Sequence, residues 1–324
     1  MSYDTVIVGC GQIAGGYDDD RDLSCQPPLS HAGAFHAHPA FRNSACIDPE
    51  PEVRRRFAER WSIPSSFASV EDWLATSPSC DVISVCTPSA GRAELIQRLL
   101  SVQPRLIFAE KPLDVDFSAG QSAMDACRRA GVPLAVNYFR RWGREINRLR
   151  EGLEQAGALQ SAYLSYGGGL FNNGSHLLDL LGFLTPGIYQ PVWAKIRDSG
   201  GDPADPRADA VLKAGDAMVF LSSLDRRNYV TIEMSLAFEG GIAEIQDLGT
   251  RICWRPAGND PRFPLVRTPR NAEWHTEKDD HFMAQVVDGL FRTLDEGAPL
   301  PSTAQTALVA TRLCQEIVAL AEAT

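Results

Sequence analysis

A short apolar run and a glycine turn lie near the start of the sequence: Thr5-Val6-Ile7-Val8-Gly9-Cys10-Gly11-Gln12-Ile13-Ala14. The β-branched run predicts a strand buried on both faces, as in a parallel sheet. Gly9 allows a tight turn after this strand, and Gly11 lets the backbone approach a pyrophosphate closely. The same pattern also fits an ordinary strand-to-helix turn, so its meaning depends on the rest of the sequence.

Strand and helix patterns then alternate as far as Val136. Four further apolar segments have the same type, and amphipathic stretches separate them. The apolar segments are Ala45-Cys46-Ile47, Val82–Cys86, Leu106–Ala109 and Leu134–Val136, and the amphipathic stretches are Glu52–Arg60, Arg92–Leu100 and Gly120–Ala130. This alternation predicts an α/β fold with a doubly wound parallel sheet of the Rossmann type, which binds ligands outside the carboxyl ends of its strands.

The pattern changes after Asn137. A helix is predicted over residues 145–155, and the alternation from Val230 to Leu236 predicts a half-buried antiparallel strand. Two helices are predicted near 279–296 and 302–322, and an exposed loop near 200–206. We therefore predict a dinucleotide-binding Rossmann domain over residues 1–137 and a second α/β domain with a mainly antiparallel sheet over 138–324.

Composition narrows the class of protein. The 324 residues, 44% of them hydrophobic, suffice for two domains with cores of their own. There are 31 Lys and Arg against 41 Asp and Glu, and the resulting charge of −10 argues against nucleic acids and membranes as partners. The eight cysteines are scattered, so no metal site is predicted. No targeting or membrane-spanning pattern is found, and we expect a cytoplasmic protein.

Asp48 comes directly after the second apolar segment. Its carboxylate is suited to bind the ribose hydroxyls of NAD and to repel the 2′-phosphate of NADP. It lies further from Ala14 than usual, because residues 15–29 form an inserted acidic loop before a helix that restarts at Ser30. The loop is either a flap over a ligand or a solvated surface excursion. His31, His36 and His38 are interpreted as helix-surface or pocket-lining residues rather than metal ligands.

A lysine and a histidine stand at positions suited to acid–base chemistry. Lys111 comes after the strand Leu106–Ala109, at the sheet edge where a dinucleotide would place its nicotinamide, and its bond to Pro112 is a candidate for the cis form. His176 and Asp179 are expected to share one face of a helix. A histidine can accept the proton of a hydroxyl, and an ammonium stabilises the alkoxide. The alternatives are a solvated lysine and a structural histidine that Asp179 caps or orients.

The motifs together resemble the Gfo/Idh/MocA family, named for glucose-fructose oxidoreductase, inositol dehydrogenase and a rhizopine-catabolism protein. The resemblance covers nearly the whole chain, and its Glu-Lys-Pro and Gly-Ser-His elements are the most specific. In the family's order, the motifs are Gly9-Cys10-Gly11-Gln12-Ile13-Ala14, Asp48, Cys86-Thr87-Pro88, Glu110-Lys111-Pro112, Asn137, Arg141 and Gly174-Ser175-His176-Leu177-Leu178-Asp179.

This resemblance implies an N-terminal Rossmann domain and a C-terminal domain for substrate binding and oligomerisation, with a large open sheet on which a homodimer or homotetramer is built. It also implies that Lys111 and His176 act on a hydroxyl or keto group of a sugar-like small molecule. The residues expected to bind NAD are Gly9, Gly11, Gln12, Ile13 and Ala14 at the pyrophosphate, Asp48 at the ribose, and Thr87, Pro88, Glu110, Lys111 and Asn137 toward the nicotinamide.

The sequence departs from the family pattern at two places. Asn172 stands where many members have an aspartate four residues before the histidine, and an amide binds a hydroxyl but is no base. Arg92 stands where members often have histidine, and it either meets an anionic group or lies on a helix surface. Arg140 and Arg141 are better placed to bind a phosphate or carboxylate of the substrate, although salt bridges between the domains are an equal alternative.

The expected activity is an NAD-dependent hydride transfer to or from a secondary alcohol or ketone of a sugar, cyclitol or nucleotide-sugar. Lys111, His176, Asn172 and Asp179 are the candidate catalytic residues, and Arg140, Arg141, Asn172 and His176 the candidate substrate-binding residues. One alternative is a non-catalytic sensor that binds NAD. Another is an oxidoreductase that holds NAD(P) tightly and recycles it with a second substrate.

Overall fold

Six short strands form a parallel sheet in the N-terminal part of the chain. The structure, a computed structural model, describes residues 2–197, 204–271, 274–276 and 282–323. The strand order is β3-β2-β1-β4-β5-β6, and β4, β5 and β6 are buried along their whole length. This confirms the predicted doubly wound sheet. The strands are β1 (Tyr3–Val8), β2 (Phe41–Ile47), β3 (Ser65–Phe67), β4 (Val82–Val85), β5 (Leu106–Ala109) and β6 (Leu134–Val136).

Helices connect these strands, as the amphipathic stretches predict. Ser30, Ser69 and Asp116 each accept a backbone N–H at a helix start, which satisfies a donor that the helix itself leaves unpaired. The helices are α1 (His31–Ala37), α2 (Pro51–Arg60), α3 (Val70–Leu74), α4 (Arg92–Leu99) and α5 (Phe117–Ala130).

The predicted insertion interrupts the first helix. Residues after Gly11 form one helical turn, and the chain then leaves and returns so that His31 and Ala32 donate to the carbonyls of Ile13 and Ala14 at 3.1 and 2.7 Å. The buried carboxylate of Asp18 ties the insertion together, because it accepts the backbone N–H groups of Leu29 and Ser30. These contacts anchor the two ends of the inserted loop.

A second, larger sheet comes next in the chain, with nine strands over the described residues. Its order is β14-β13-β12-β11-β7-β10-β9-β8, with β15 paired to β13. β7 and β10 run parallel and the other pairs antiparallel, which confirms a mainly antiparallel sheet. Its strands are β7 (Leu159–Gly167), β8 (Gln190–Ile196), β9 (Ala208–Ala214), β10 (Ala217–Leu224), β11 (Ile232–Phe238), β12 (Gly241–Gln246), β13 (Arg251–Asn259), β14 (Arg267–Pro269) and β15 (Trp274–Thr276).

One face of this sheet is buried and the other is not. Buried residues alternate with partly exposed ones along β10, β11 and β12, as the period-two pattern predicts. Helices α6 (Arg144–Leu153) and α7 (Ser175–Leu184) pack against β13 and β11. Residues 200–203 of the predicted loop at 200–206 lie outside the described residues.

The chain packs into two compact units. The first comprises Met1–Trp142 and Asp280–Leu308, and the second Gly143–Asp279 and Val309–Thr324. Helix α8 (Phe282–Glu296) belongs to the first unit, where Val286 and Leu290 join the core around Phe35 and Phe108. Helix α9 (Ala304–Glu322) has residues in both units. The domain boundary at residue 137 stays a prediction. Within the described ranges, every helix is too short or too polar to span a membrane.

Candidate active site

The carboxyl ends of five parallel strands carry most of the predicted cofactor residues. Because the strand order is β2-β1-β4-β5-β6, the residues directly after them lie side by side along one edge of the sheet. Backbone hydrogen bonds of 2.7 to 2.9 Å, donated by Gly9, Cys86, Glu110 and Asn137, extend the sheet by one residue there. In order along the edge, the predicted cofactor residues are Asp48, Gly9, Thr87, Glu110 and Asn137.

The two glycines of the turn have different reasons to be glycine. Gly9 has a φ of +90°, and a Cβ there would lie 3.0 Å from the carbonyl carbon of Cys86 and from the nitrogen of Thr87. A Cβ on Gly11 would meet no described atom within 4 Å. The fold therefore requires Gly9, whereas Gly11 leaves open backbone that a pyrophosphate can approach.

Asp48 connects the glycine turn to the start of α2. Its Oδ2 accepts the N–H of Cys10 at 2.8 Å, and its Oδ1 accepts the N–H of Glu50 at 2.9 Å. The carboxylate is half-buried, and each oxygen has a second lone pair. The residue predicted to bind ribose thus also shapes the turn predicted to bind pyrophosphate.

Behind the edge lies a buried polar network centred on His31 and Glu110. His31 Nδ1 lies 2.7 Å from Ser84 Oγ, and its Nε2 lies 2.9 Å from Glu110 Oε1. Asn137 Nδ2 donates to the same Glu110 oxygen at 2.6 Å, and the His31 ring stacks on Phe108. The expectation that His31 lines a surface or a pocket was wrong, because both ring nitrogens bind buried groups 53 and 79 residues away in sequence.

His31 and Glu110 form an ion pair. Burial favours the neutral imidazole, but Cys86 and the Glu110 carboxylate outweigh it and raise the pKa of His31 to about 10. Burial likewise favours a neutral Glu110, but the hydrogen bond from His31 and the charges of His31 and Lys111 lower its pKa to about 2. The described contacts of the Glu110 carboxylate are with protein groups, so its predicted role toward the nicotinamide stays a prediction.

Lys111 comes directly after Glu110 at this edge. The peptide bond between Lys111 and Pro112 is cis, as the sequence predicts. The Lys111 N–H donates to Glu110 Oε2 at 3.3 Å, and the residue is half-buried. The whole sequence has four lysines, and Lys111 is the sole one before residue 195.

Arg92 contradicts both interpretations of the sequence. It is 3% exposed, and its guanidinium donates to the backbone carbonyls of Glu110, Pro112 and Thr87. It therefore neither lies on the helix surface nor meets an external anionic group through these donors. The sequence does not reveal this, since two of the carbonyls, those of Glu110 and Pro112, lie 18 and 20 residues further along the chain.

Two polar side-chain oxygens at the same edge lack protein partners. Thr87 Oγ1 and Asn137 Oδ1 are both buried, and neither has a hydrogen-bond partner among the described residues. Buried polar groups are nearly always paired, so such atoms indicate a place that a ligand completes. Together with the open backbone at Gly11, they fit the binding of a dinucleotide along this edge.

Arg140 and Arg141 lie just beyond Asn137. They belong to a 3₁₀ turn at Phe139–Trp142 and are 5% and 6% exposed. The Arg140 guanidinium lies 4.6 Å from the centre of the Phe139 ring, and Arg141 donates to the carbonyl of Pro301 at 3.3 Å. Their role toward a substrate stays a prediction.

The second unit holds the predicted histidine. His176 and Asp179 are 7% and 4% exposed and lie three residues apart in α7. A single π-helical turn, Leu170–Gly174, leads into this helix. Such turns are often found at functional sites. Asn172 lies on this turn and is exposed.

Asp205 is a residue of this region that the sequence patterns missed. Its carboxylate accepts the N–H of Phe171 at 2.7 Å and the N–H of Asn172 at 3.3 Å, which caps the π turn. A Cβ at Gly169 would lie 1.9 Å from Asp205 Oδ2, so any other residue there would displace this carboxylate. Asp205 was placed in an exposed loop, and no local pattern links it to residues 171 and 172.

Comparison with known proteins agrees with this fold. Residues 4–138 match the GFO_IDH_MocA family, described as "Oxidoreductase family, NAD-binding Rossmann fold". The chain is 27% identical to the myo-inositol dehydrogenase Hyg17 of Streptomyces leeuwenhoekii over 134 residues, 41% of this chain and 36% of that protein. The chain spans about half or less of the length of the curated relatives it matches.

Solved structures share the fold along nearly the whole chain. The UDP-N-acetylglucosamine 3-dehydrogenase GnnA of Acidithiobacillus ferrooxidans is 16% identical with a TM-score of 0.77, covering 100% of this chain and 99% of that one. The WlbA dehydrogenase of Bordetella pertussis, in complex with NADH and UDP-GlcNAcA, is 17% identical with a TM-score of 0.76, covering 99% and 97%. Over residues 4–138, the chain is therefore similar to the Gfo/Idh/MocA family of oxidoreductases, which has an NAD-binding Rossmann fold.

Proposed function

We propose that the protein is an NAD-dependent oxidoreductase acting on a secondary alcohol or ketone of a sugar, cyclitol or nucleotide-sugar. The observation that carries this proposal is Lys111, placed after β5 on the same sheet edge as the open glycine turn and Asp48. A positive charge at that position stabilises the alkoxide that forms as a hydride leaves or reaches the carbon.

The cofactor residues are assigned from this edge. Gly9, Gly11, Gln12, Ile13 and Ala14 hold the pyrophosphate, and Asp48 holds the ribose and disfavours the 2′-phosphate of NADP. Thr87, Pro88, Glu110, Lys111 and Asn137 lie toward the nicotinamide. When bound, NAD supplies the acceptor or donor of the hydride.

The proton is handled by side chains of this chain. His176 accepts the proton of the substrate hydroxyl in oxidation and returns it in reduction, since histidine changes protonation near neutral pH. Asp179, one turn further along α7, orients the His176 ring. Asn172 binds a substrate hydroxyl through its amide and takes no part as a base.

Among sugar-like substrates, we favour a nucleotide-sugar. The guanidinium groups of Arg140 and Arg141 are suited to phosphate or carboxylate groups. Two solved structures of this fold are a UDP-N-acetylglucosamine 3-dehydrogenase and a dehydrogenase in complex with UDP-GlcNAcA. These proteins support the substrate class by analogy of fold.

We further propose that the protein forms a homodimer or homotetramer through the open face of the second sheet. Tyr163 and Phe220 stack there with ring centres 5.1 Å apart and are 57% and 38% exposed. Exposed aromatic pairs of this kind are typical of interfaces.

The oligomeric state is tested by light scattering after gel filtration. The molecular mass of the wild type should be that of a dimer or larger, and Phe220→Asp should shift the mass toward that of a monomer. A monomeric wild type would contradict this proposal.

The activity is tested by measuring NAD reduction at 340 nm with a panel of sugars, cyclitols, sugar acids and nucleotide-sugars. We expect turnover with at least one group of the panel. NAD binding without turnover on any of them would favour the sensor. Reduced nicotinamide absorbance in the purified protein would favour a tightly held and recycled cofactor.

A further inference from the structure

Arg92 is a buried cation whose described hydrogen-bond partners are backbone carbonyls. It is the first residue of α4 and is 3% exposed. Its Nη1 donates to the carbonyl of Glu110 at 2.7 Å and to that of Pro112, and its Nη2 donates to the carbonyl of Thr87. Burying a guanidinium is costly unless its donors are used. These bonds use Nη1 and Nη2, whereas the buried Nε has no hydrogen-bond partner among the described residues.

The three carbonyls belong to residues next to Lys111, in its own loop and in the neighbouring one. Glu110 and Pro112 directly flank Lys111, and Thr87 belongs to the neighbouring loop after β4. One planar side chain therefore holds the backbone before and after Lys111 and joins it to the next loop of the sheet edge. Lysine itself has a flexible stem, so the position of its ammonium depends on how firmly its backbone is held.

The same helical turn holds the segment after Lys111 as well. The N–H of Ala93 donates to Asp114 Oδ2 at 3.0 Å, and the other oxygen of Asp114 accepts the N–H of Asp116 at 3.1 Å. Burial lowers the pKa of Arg92, whereas the Glu110 and Asp114 carboxylates favour its charged form. The first turn of α4 thus contacts the Lys111 segment at both ends.

We propose that Arg92 is the positioning residue for Lys111, holding its backbone in the catalytic position through the carbonyls of Thr87, Glu110 and Pro112. This inference rests on the proposed function, in which the Lys111 ammonium faces the developing charge. Arg92 is assigned no contact with substrate or cofactor. It acts through the geometry of the lysine.

The test compares three variants of the full-length protein. Arg92→Gln removes the charge and most donors, and Arg92→Lys keeps the charge but replaces the planar fork with a single ammonium. Arg98→Gln is the matched control, because Arg98 lies on the same helix, is 48% exposed and pairs with Glu71 on the surface. Each variant is first checked for folding by its thermal unfolding.

Two measurements separate positioning from a purely structural role. The first measurement compares the change in kcat with the change in the dissociation constant of NAD for each variant. We expect Arg92→Gln to lower kcat about 10- to 100-fold, as small misplacements of catalytic groups do. Arg92→Lys should fall between Arg92→Gln and wild type, while NAD affinity changes little and Arg98→Gln matches wild type.

The second measurement needs no substrate. Reductive methylation with ¹³C-formaldehyde labels the four lysines and the N-terminal α-amine, and the Lys111 signal is assigned by its loss in Lys111→Arg. We expect this signal to shift and broaden in Arg92→Gln and to stay in place in Arg98→Gln. The signals of Lys195 and Lys213, which lie in β8 and β9, should not move.

The outcomes distinguish this inference from the proposed function. A wild type that turns over no substrate contradicts the function, and the lysine signal still decides the role of Arg92. An active Arg92→Gln with wild-type kcat and an unmoved Lys111 signal overturns the positioning role. If Arg92→Gln does not fold, Arg92→Lys is judged by the same two criteria.

Discussion

His31 Nε2 lies 2.9 Å from Glu110 Oε1, inside a core where the two residues are 0% and 7% exposed. The pair joins α1, which begins just after the insertion, to the segment that carries Lys111. Asn137 donates to the same Glu110 oxygen. The start of α1 and the ends of β5 and β6 therefore meet at the Glu110 carboxylate. The ionised pair therefore fixes the segment that carries Lys111 to α1 in the buried core next to the candidate site.

Breaking this ion pair should destabilise the fold. We expect Glu110→Gln to lower the free energy of unfolding by about 3–5 kcal/mol, because it leaves an uncompensated buried group. The pKa of His31 is raised from 6.5 to about 10. Its protonation therefore contributes fully to the free energy of unfolding below pH 6.5, and this contribution is lost as the pH rises toward 10. The pKa of Glu110 is lowered from 4.5 to about 2. Its ionised carboxylate therefore contributes fully to the free energy of unfolding above pH 4.5, and this contribution is lost as the pH falls toward 2.

The difference between wild type and Glu110→Gln should therefore be largest between pH 4.5 and 6.5 and should shrink toward pH 10. Urea unfolding across this range measures it. Glu59→Gln is the control, since Glu59 is 62% exposed and pairs with Arg55 on the surface. A constant difference from pH 6.5 to 10 would show that His31 is not charged in the folded protein.

Alanine substitutions at the two glycines of the turn should have different effects, one on the stability of the fold and the other on NAD binding. Gly9→Ala forces a Cβ against the backbone of Cys86 at a φ of +90°, which we expect to cost about 1–3 kcal/mol of unfolding free energy. Gly11→Ala has open space around its Cβ and should leave stability within about 0.5 kcal/mol, yet weaken NAD binding. Equal loss of stability in both variants, measured by urea unfolding and NAD titration, would contradict this separation.

Asp48 should set the choice between NAD and NADP. Asp48→Asn keeps an oxygen for the Cys10 N–H and removes the charge, so we expect weaker NAD binding and improved NADP binding. Asp48→Ala also releases the Cys10 N–H and should lose about 10-fold or more in NAD affinity. Fluorescence titration with NADH and NADPH measures both. An unchanged ratio of the two affinities in Asp48→Asn would rule out this role.

His176 should matter for turnover and not for cofactor affinity. We expect His176→Ala to lower kcat about 10²- to 10⁴-fold, the usual contribution of a general base, with an unchanged dissociation constant for NAD. His275→Ala is the control, because His275 is exposed on β15. Wild-type turnover in His176→Ala would reject the histidine as the proton acceptor.

Local patterns predicted much of the fold. The β-branched runs, the glycine turn and the amphipathic stretches each signal an element within about ten residues, which is the range over which periodicity acts. Ser30 was recognised as a helix start by its residue type, and its side chain accepts the N–H of Gly33. Strand β3 was missed because Ser65-Ser66-Phe67 is short and mostly polar.

The missed site residues have partners far along the chain. Arg92 contacts carbonyls up to 20 residues away, His31 contacts Glu110 across 79, and Asp205 contacts Phe171 across 34. These contacts form only when the fold brings loop ends together. The glycine turn, Asp48 and Lys111 could be proposed as site residues because each lies just after a strand that the sequence itself indicates.

The most direct measurement compares NAD reduction at 340 nm by wild type, Lys111→Ala and Lys195→Ala with the best substrate of the panel. Lys195 lies exposed on β8, remote in sequence from the glycine turn. We predict that wild type and Lys195→Ala turn over alike, whereas Lys111→Ala loses about 10²-fold or more in kcat while still binding NAD. Turnover by Lys111→Ala at the wild-type rate would contradict the assignment of Lys111 to the chemistry.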